Sequence, residues 1–402
     1  DHRDLHSFPT RRSSDLTETT GAMTIPGLLG RKFPESRRGI SMLSSMIIIF
    51  FFLFYIAAQF AGSGKVIEKT FGLDPLWGII IGSVVVTVYC IMGGFIAVVV
   101  TDVFQSILMI FTLVVFPVIA LFVAASNHIH IAEALSQAGP QIVSLTGSKT
   151  GGAAVLFILS GMSWALGYTG QPQLLSRMMA IRNEHDVRRA RWVAITWTLL
   201  AYIGAILIGL FGIAFVQSGF LGSEAGKLAQ DAEKILPVMV VTLVNPIIAG
   251  FLLSGVISAM MSTASTELTV SSASITEDII GQLKKQEIES KRKLWLNRLM
   301  TLAIGIIAIL LALYMTDTVY GLVSYAWSGI GSSFGPALLL ALFWKRFSRA
   351  GVYASLLSGT AGTIIWKLLF EADTGVSERL TIFVFAFAMA VLFSWLFPEK
   401  KQ

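Results

Sequence analysis

The stretch SGMSWALGYTGQPQLLSRMM, Ser160 to Met179, interrupts a long apolar run with three glycines, a Trp, a Tyr and a Gln-Pro pair. Glycine weakens a helix interior, and proline removes a backbone donor and clashes with the preceding turn. A helix is therefore predicted to break between Gly167 and Pro172. Trp164 and Tyr168, four apart, share one face of its first half.

The flanks say what that break is surrounded by. The chain has 402 residues, 54% hydrophobic and only 13% charged, where a soluble protein carries about 25% charged residues. Ten apolar spans are read, at about 40–61, 77–100, 103–125, 153–175, 192–216, 244–266, 295–315, 319–344, 351–369 and 380–397. Most are long enough to cross about 30 Å of hydrocarbon. The expected class is an all-α polytopic membrane protein. In lipid, a broken helix survives only where it is buried in protein or lines a cavity, which is how many secondary transporters build a midplane site. A plain proline kink with packed aromatics is the other reading of the same spacing.

Basic residues alternate between the loops, nineteen on one side against six on the other, so the +6 net charge reflects topology rather than a nucleic-acid partner. The chain is expected to be multi-pass in the cytoplasmic membrane, with both ends cytoplasmic. The single cysteine, Cys90, excludes an intrachain disulfide and a thiolate metal cluster. His6 to Leu16, HSFPTRRSSDL, matches the in-frame translation of a sequencing-library adapter, and residues 1–16 are set aside. The remainder divides into a cytoplasmic loop (17–39), a transmembrane domain (40–397) and a short cytoplasmic tail (398–402).

Three further constellations could carry chemistry. In SAMMSTASTELTVSSASITEDII, Ser258 to Ile280, the residues Ala259, Ser262 and Thr263 fall on one helical face. Two hydroxyls and a carbonyl make hard oxygen ligands, suited to an alkali cation; small residues also serve close helix packing. Asp102 lies between the second and third spans, either a functional intramembrane acid or a solvated turn. Tyr55 and Gln59, four apart, line one cavity or bond across helices. His128, His130, Glu133 and His185 lie in loops without metal-ligand spacing, and no nucleophile-base set or phosphate loop is seen, so an enzyme is not expected. No midspan carboxylate is read that could carry a proton, which favours sodium.

The segments WALGY, GYTGQPQLLSRMMAI, MSTASTELTVSSASITEDI, GGFIAVVVTDVFQS and GLVSYAWSGIGSSFGPALL together resemble the sodium:solute symporter family. The resemblance covers nearly everything after residue 16. It implies a LeuT-type inverted-repeat fold and sodium-coupled symport of a small organic solute by alternating access, proline first among the candidates. Other small amino acids or organic acids, or a sensor domain of a membrane histidine kinase, are the alternatives. By motif, Trp164, Tyr168, Gln171, Pro172 and Tyr55 would shape the solute site. Ala259, Ser262 and Thr263 would hold sodium, and Asp102 would serve ion coupling. No cofactor is implied beyond the coupling ion. The family pattern places an outer helix and two repeat helices before residue 17. The chain is thus expected to be a fragment, inactive alone, with about ten membrane helices.

Overall fold

The structure, a computed structural model, describes residues 24–181, 184–283, 289–315, 317–370 and 376–399, without the side chains of Phe95 and Glu184. Residues 1–16 therefore lie outside the described residues, as does most of the expected tail. Every regular element among the described residues is helical. Ten of these helical stretches are long and apolar enough to cross a membrane.

Within the expected loop 17–39, a short helix α1 (Ile25–Lys32) forms instead. Thr24 caps it by accepting from the Gly27 amide at 3.0 Å, and Pro26 opens its first turn. Its apolar residues Ile25, Leu28 and Leu29 are buried, which is what pulls the segment onto the bundle. Helix α2 (Arg37–Phe71) follows and starts three residues before the expected span. Gly72, at φ 66°, ends it in the left-handed conformation that glycine adopts without strain.

Asp74 then caps α3 (Pro75–Gly94), accepting from the Leu76 amide at 2.8 Å. The next helix, α4 (Ile96–Ser126), continues almost directly. The expected boundary near residue 102 is displaced: the chain breaks at Gly94, with φ 59° and ψ −159°, a conformation open to glycine alone. Apolar residues on both sides of Gly94 hide the break from a hydropathy reading. Asp102 consequently sits inside α4 and not in a turn.

The expected fourth span is in three pieces: α5 (Gly151–Met162), α6 (Trp164–Tyr168) and α7 (Pro172–Met179). After α8 (Glu184–Gln217), the connection over 218–245 is fastened to the end of α2 by ion pairs. Lys65 meets Asp231 at 3.0 Å and Glu233 at 2.7 Å, Lys234 meets Glu68 at 2.8 Å, and Lys69 pairs with Glu224.

Asn245 caps α9 (Pro246–Ala273), bonding the amides of Ile247 and Ile248 at 3.1 Å each. The helix runs on as a π-helical segment, Ser274–Ile280, well past the expected end at 266. Helices α10 (Ser290–Tyr314), α11 (Val319–Phe343), α12 (Arg349–Leu369) and α13 (Glu378–Leu396) complete the order.

Helices α2 and α11 form the centre. Their apolar windows are 61% and 83% buried, while the other spans present most of their surface outward. Phe51, Phe52, Phe60 and Phe334 are completely enclosed there. Phe51 lies directly on Gly329, so the ring fills the space that a side chain at 329 would occupy.

Candidate functional site

The break between α6 and α7 is real and well supported. After Tyr168 the chain turns through Thr169 and Gly170, and Gln171 is extended at φ −78°, ψ 109° before Pro172 restarts the helix. Gly170 lies against the backbone of Gly331 and Gly335, and Gly331 in turn touches the Cα of Gly167. Two helices meet backbone to backbone here, an approach that only glycine permits.

Side chains from α11 satisfy the opened turn. Gln171 is completely buried and donates from Nε2 to the Trp327 carbonyl at 3.2 Å. Gln173 donates to Gln171 Oε1 at 3.1 Å. The Trp327 indole returns a bond from Nε1 to the Trp164 carbonyl at 3.3 Å. The break is thus bonded to α11 inside the protein, as a break in lipid requires.

Around the break stands an aromatic cluster. The Trp327 ring lies 5.6 Å from that of Trp164 and 4.9 Å from that of Tyr168, the latter edge to face. Tyr168 bonds Tyr202 of α8 through the two hydroxyls at 2.8 Å. The Arg379 guanidinium lies 4.3 Å above the Trp164 ring and is itself drawn to Ser324 and Glu378. Tyr55 is buried in the same core cluster as Trp327 and Ala264, with Trp164 packed against it. Trp164, Tyr168 and Gln171 thus gather on Trp327, Pro172 follows Gln171 in the chain, and Tyr55 lies in the same buried core as Trp327. A cleft of about 450 Å³ lies elsewhere, lined by Phe54, Tyr314, Leu322 and Tyr325, and none of the five residues lines it.

The second constellation adjoins the far side of the break. Ser262 donates to Asp102 Oδ1 at 2.6 Å, and Arg177 Nη2 lies 2.5 Å from Asp102 Oδ2. Arg177 also meets the Thr266 hydroxyl. Thr263 Oγ1 bonds back to the Ala259 carbonyl at 3.0 Å. Ala259, Ser262, Thr263 and Asp102 thus offer oxygen only, one of them charged, on neighbouring turns of α9 and α4. That donor set fits a small hard cation and no soft metal. Among the described residues, no group of three His, Cys, Asp or Glu side chains could hold a metal ion.

Three residues escaped the sequence reading. Arg177 reads as one basic loop residue among many, yet it joins α7 to α4 and α9. Trp327 carried a signal, a lone indole among small residues in SYAWSG. Glu267 corrects an expectation outright: it is a carboxylate in the middle of a span, 0% exposed, where none was read. Placing the end of the span at 266 put it in a loop.

Comparison with known proteins accords with this geometry. The sodium:solute symporter family model matches residues 12–359. The chain is 36% identical over 389 residues to the high-affinity proline transporter PutP of Bacillus subtilis, covering 96% of this chain and 78% of that one. It is 35% identical over 375 residues to the sodium/proline symporter of Escherichia coli, with 93% and 73% covered. A solved structure of a Na+-coupled sialic acid symporter, in a substrate-bound outward-open state, superposes with a TM-score of 0.69 at 19% identity, covering 98% of this chain and 84% of that one. With its LeuT-type helical fold and a family match over most of its length, the chain belongs to the sodium:solute symporter family.

Proposed function

We propose that this protein couples the inward movement of sodium to that of proline. The observation that carries the reading is the junction of Arg177, Asp102, Ser262 and Thr266, which ties the half-helix after the break to the helix bearing the cation ligands. The relatives named for proline supply the solute.

Sodium, as a substrate, takes oxygen from the Ala259 carbonyl, the hydroxyls of Ser262 and Thr263 and, across Ser262, the Asp102 carboxylate. To do so it competes with the Ser262–Asp102 and Thr263–Ala259 bonds. Its arrival therefore loosens the contact between α4 and α9, and with it the hold of Arg177, and so of α7, on both. The solute site lies at the other end of α7's first turn, where Trp164, Tyr168, Gln171, Pro172 and Tyr55 converge. An apolar ring such as that of proline packs on the aromatic faces, and its charged groups face the opened backbone. The loop charges support an orientation with the Arg37 end of α2 in the cytoplasm. One charge crossing 100 mV supplies about 2.3 kcal/mol to drive uptake.

The test is uptake of labelled proline into proteoliposomes with and without a sodium gradient, repeated with Ser262→Ala and Thr263→Ala. Sodium-stimulated uptake that falls in both variants, with sodium affinity most affected, is expected. Uptake indifferent to sodium overturns the reading.

A further inference from the structure

Glu267 stands apart from the solute and sodium residues just described. It is 0% exposed, and neither of its carboxyl oxygens has a hydrogen-bond partner. It lies one turn beyond Thr263 on α9, and one turn further Ser271 presents a second fully buried oxygen without a partner. Gly62 of α2 sits against Met260 of α9, and Tyr55, near the middle of α2, is within electrostatic reach of Glu267. The carboxyl therefore lies in the middle part of the span Pro246–Leu283, whose neighbouring residues Ala264 and Leu268 belong to the buried core.

The charged and titratable groups on the packed elements do not neutralise it. Tyr55 faces it from α2. Tyr89, Cys90 and Asp102, from α3 and α4, are directed at Met261, Ser265 and Ser262. Arg177 of α7 is engaged by Asp102 and Thr266. Arg298 of α10 lies beside the π-helical end, where Asn297 meets Thr276, and Asp278 is eleven residues on, bonded by Thr24 at 2.9 Å. A bare carboxylate in such a place carries a large desolvation cost, whereas a bound proton removes the charge and leaves only the smaller cost of an unpaired neutral carboxyl.

We propose that Glu267 is a proton-binding site of the bundle, loaded in the arrangement seen here and exchanged with water when the helices around it part. Protonation is written simply: the carboxylate takes one proton from water on one side and returns it on the same or the other side, with no other bond changed. The site stands independently of the solute assignment; its exchange during transport rests on that reading.

Infrared difference spectra of the purified full chain, wild type against Glu267→Gln, test the site at neutral pH. The expected result is a carbonyl stretch of a protonated carboxyl that shifts in heavy water and is missing from the variant. Identical spectra in that region overturn the proposal. Glu267→Gln keeps the shape of the side chain, and its melting temperature reports whether the variant is folded. In proteoliposomes carrying a pH-sensitive dye, proton movement accompanying sodium-driven proline uptake is expected in wild type and lost in the variant. Equal proton movement in both overturns the exchange. If wild type takes up no proline, the transport reading fails while the infrared result still decides the proton site.

Discussion

Arg177 Nη2 stands 2.5 Å from Asp102 Oδ2, so the half-helix after the break is pinned to α4 by a charged pair. Asp102 is 11% exposed at its side chain and holds Ser262 with its other oxygen. One carboxylate thus reads the position of two helices at once. Any motion of α7 against α9 has to stretch or replace these contacts.

Replacing Asp102 by Asn keeps the size and removes the charge. Sodium half-saturation for proline uptake is expected to rise about tenfold, equivalent to about 1.4 kcal/mol. Uptake measured against sodium concentration at fixed proline checks this, and an unchanged half-saturation counts against a role for Asp102 in coupling.

Gly94→Ala places a Cβ on a backbone at φ 59°, ψ −159°. A loss of about 1–3 kcal/mol is expected, read as a lower melting temperature in detergent. Gly209, inside α8 with open space where a Cβ would go, is the matched control. Its change to Ala is expected to be neutral or to stabilise by roughly 0.5–1 kcal/mol.

Trp327→Ala removes the ring that abuts both Trp164 and Tyr168 and the donor to the Trp164 carbonyl. Proline half-saturation is expected to rise about three- to tenfold, on the order of the 0.5–1.5 kcal/mol that aromatic pairs contribute. Trp327→Phe is expected to lose less. Equal and unaltered half-saturation in both variants would place the solute elsewhere.

Lys227, at 2.8 Å, and Lys69 hold the Glu224 carboxyl below its ordinary range. A carboxylate favoured in the fold contributes stability above its unfolded pKa, about 4.3. That contribution fades as pH falls through the lower folded value. Amides of 224–230 are expected to exchange faster at about pH 3 than at about pH 6 once the intrinsic rate is removed. Lys69→Met is expected to shrink the difference. A difference that persists in full rules out this pair as its cause.

The helix count and the break at Gly167–Pro172 were legible because glycine and proline act locally, whatever surrounds them. The break at Gly94 was not: GG also occurs in packed helices, and hydropathy is blind to a turn with apolar residues on both sides. Asp102 was noticed for its charge but left between two spans, as an intramembrane acid or a turn, because a charge inside a helix and one at its end look alike in one dimension. Arg177 needed the third dimension, since its partners lie 75 and 89 residues away. Glu267 was lost to a span boundary drawn at 266, where the helix in fact runs on through Ile280.

The glycine face where Gly167 and Gly170 meet Gly331 and Gly335 has a mechanical meaning. Interlocked side chains ratchet, because sliding lifts each knob out of its hole. Here bare backbone meets bare backbone, and the nearest knob is the Trp327 ring beside it. The same smoothness leaves no slack: a single added methyl at Gly331 reaches the Gly167 Cα within 2.6 Å. Position 331 is therefore where the smallest substitution would wedge the two helices apart.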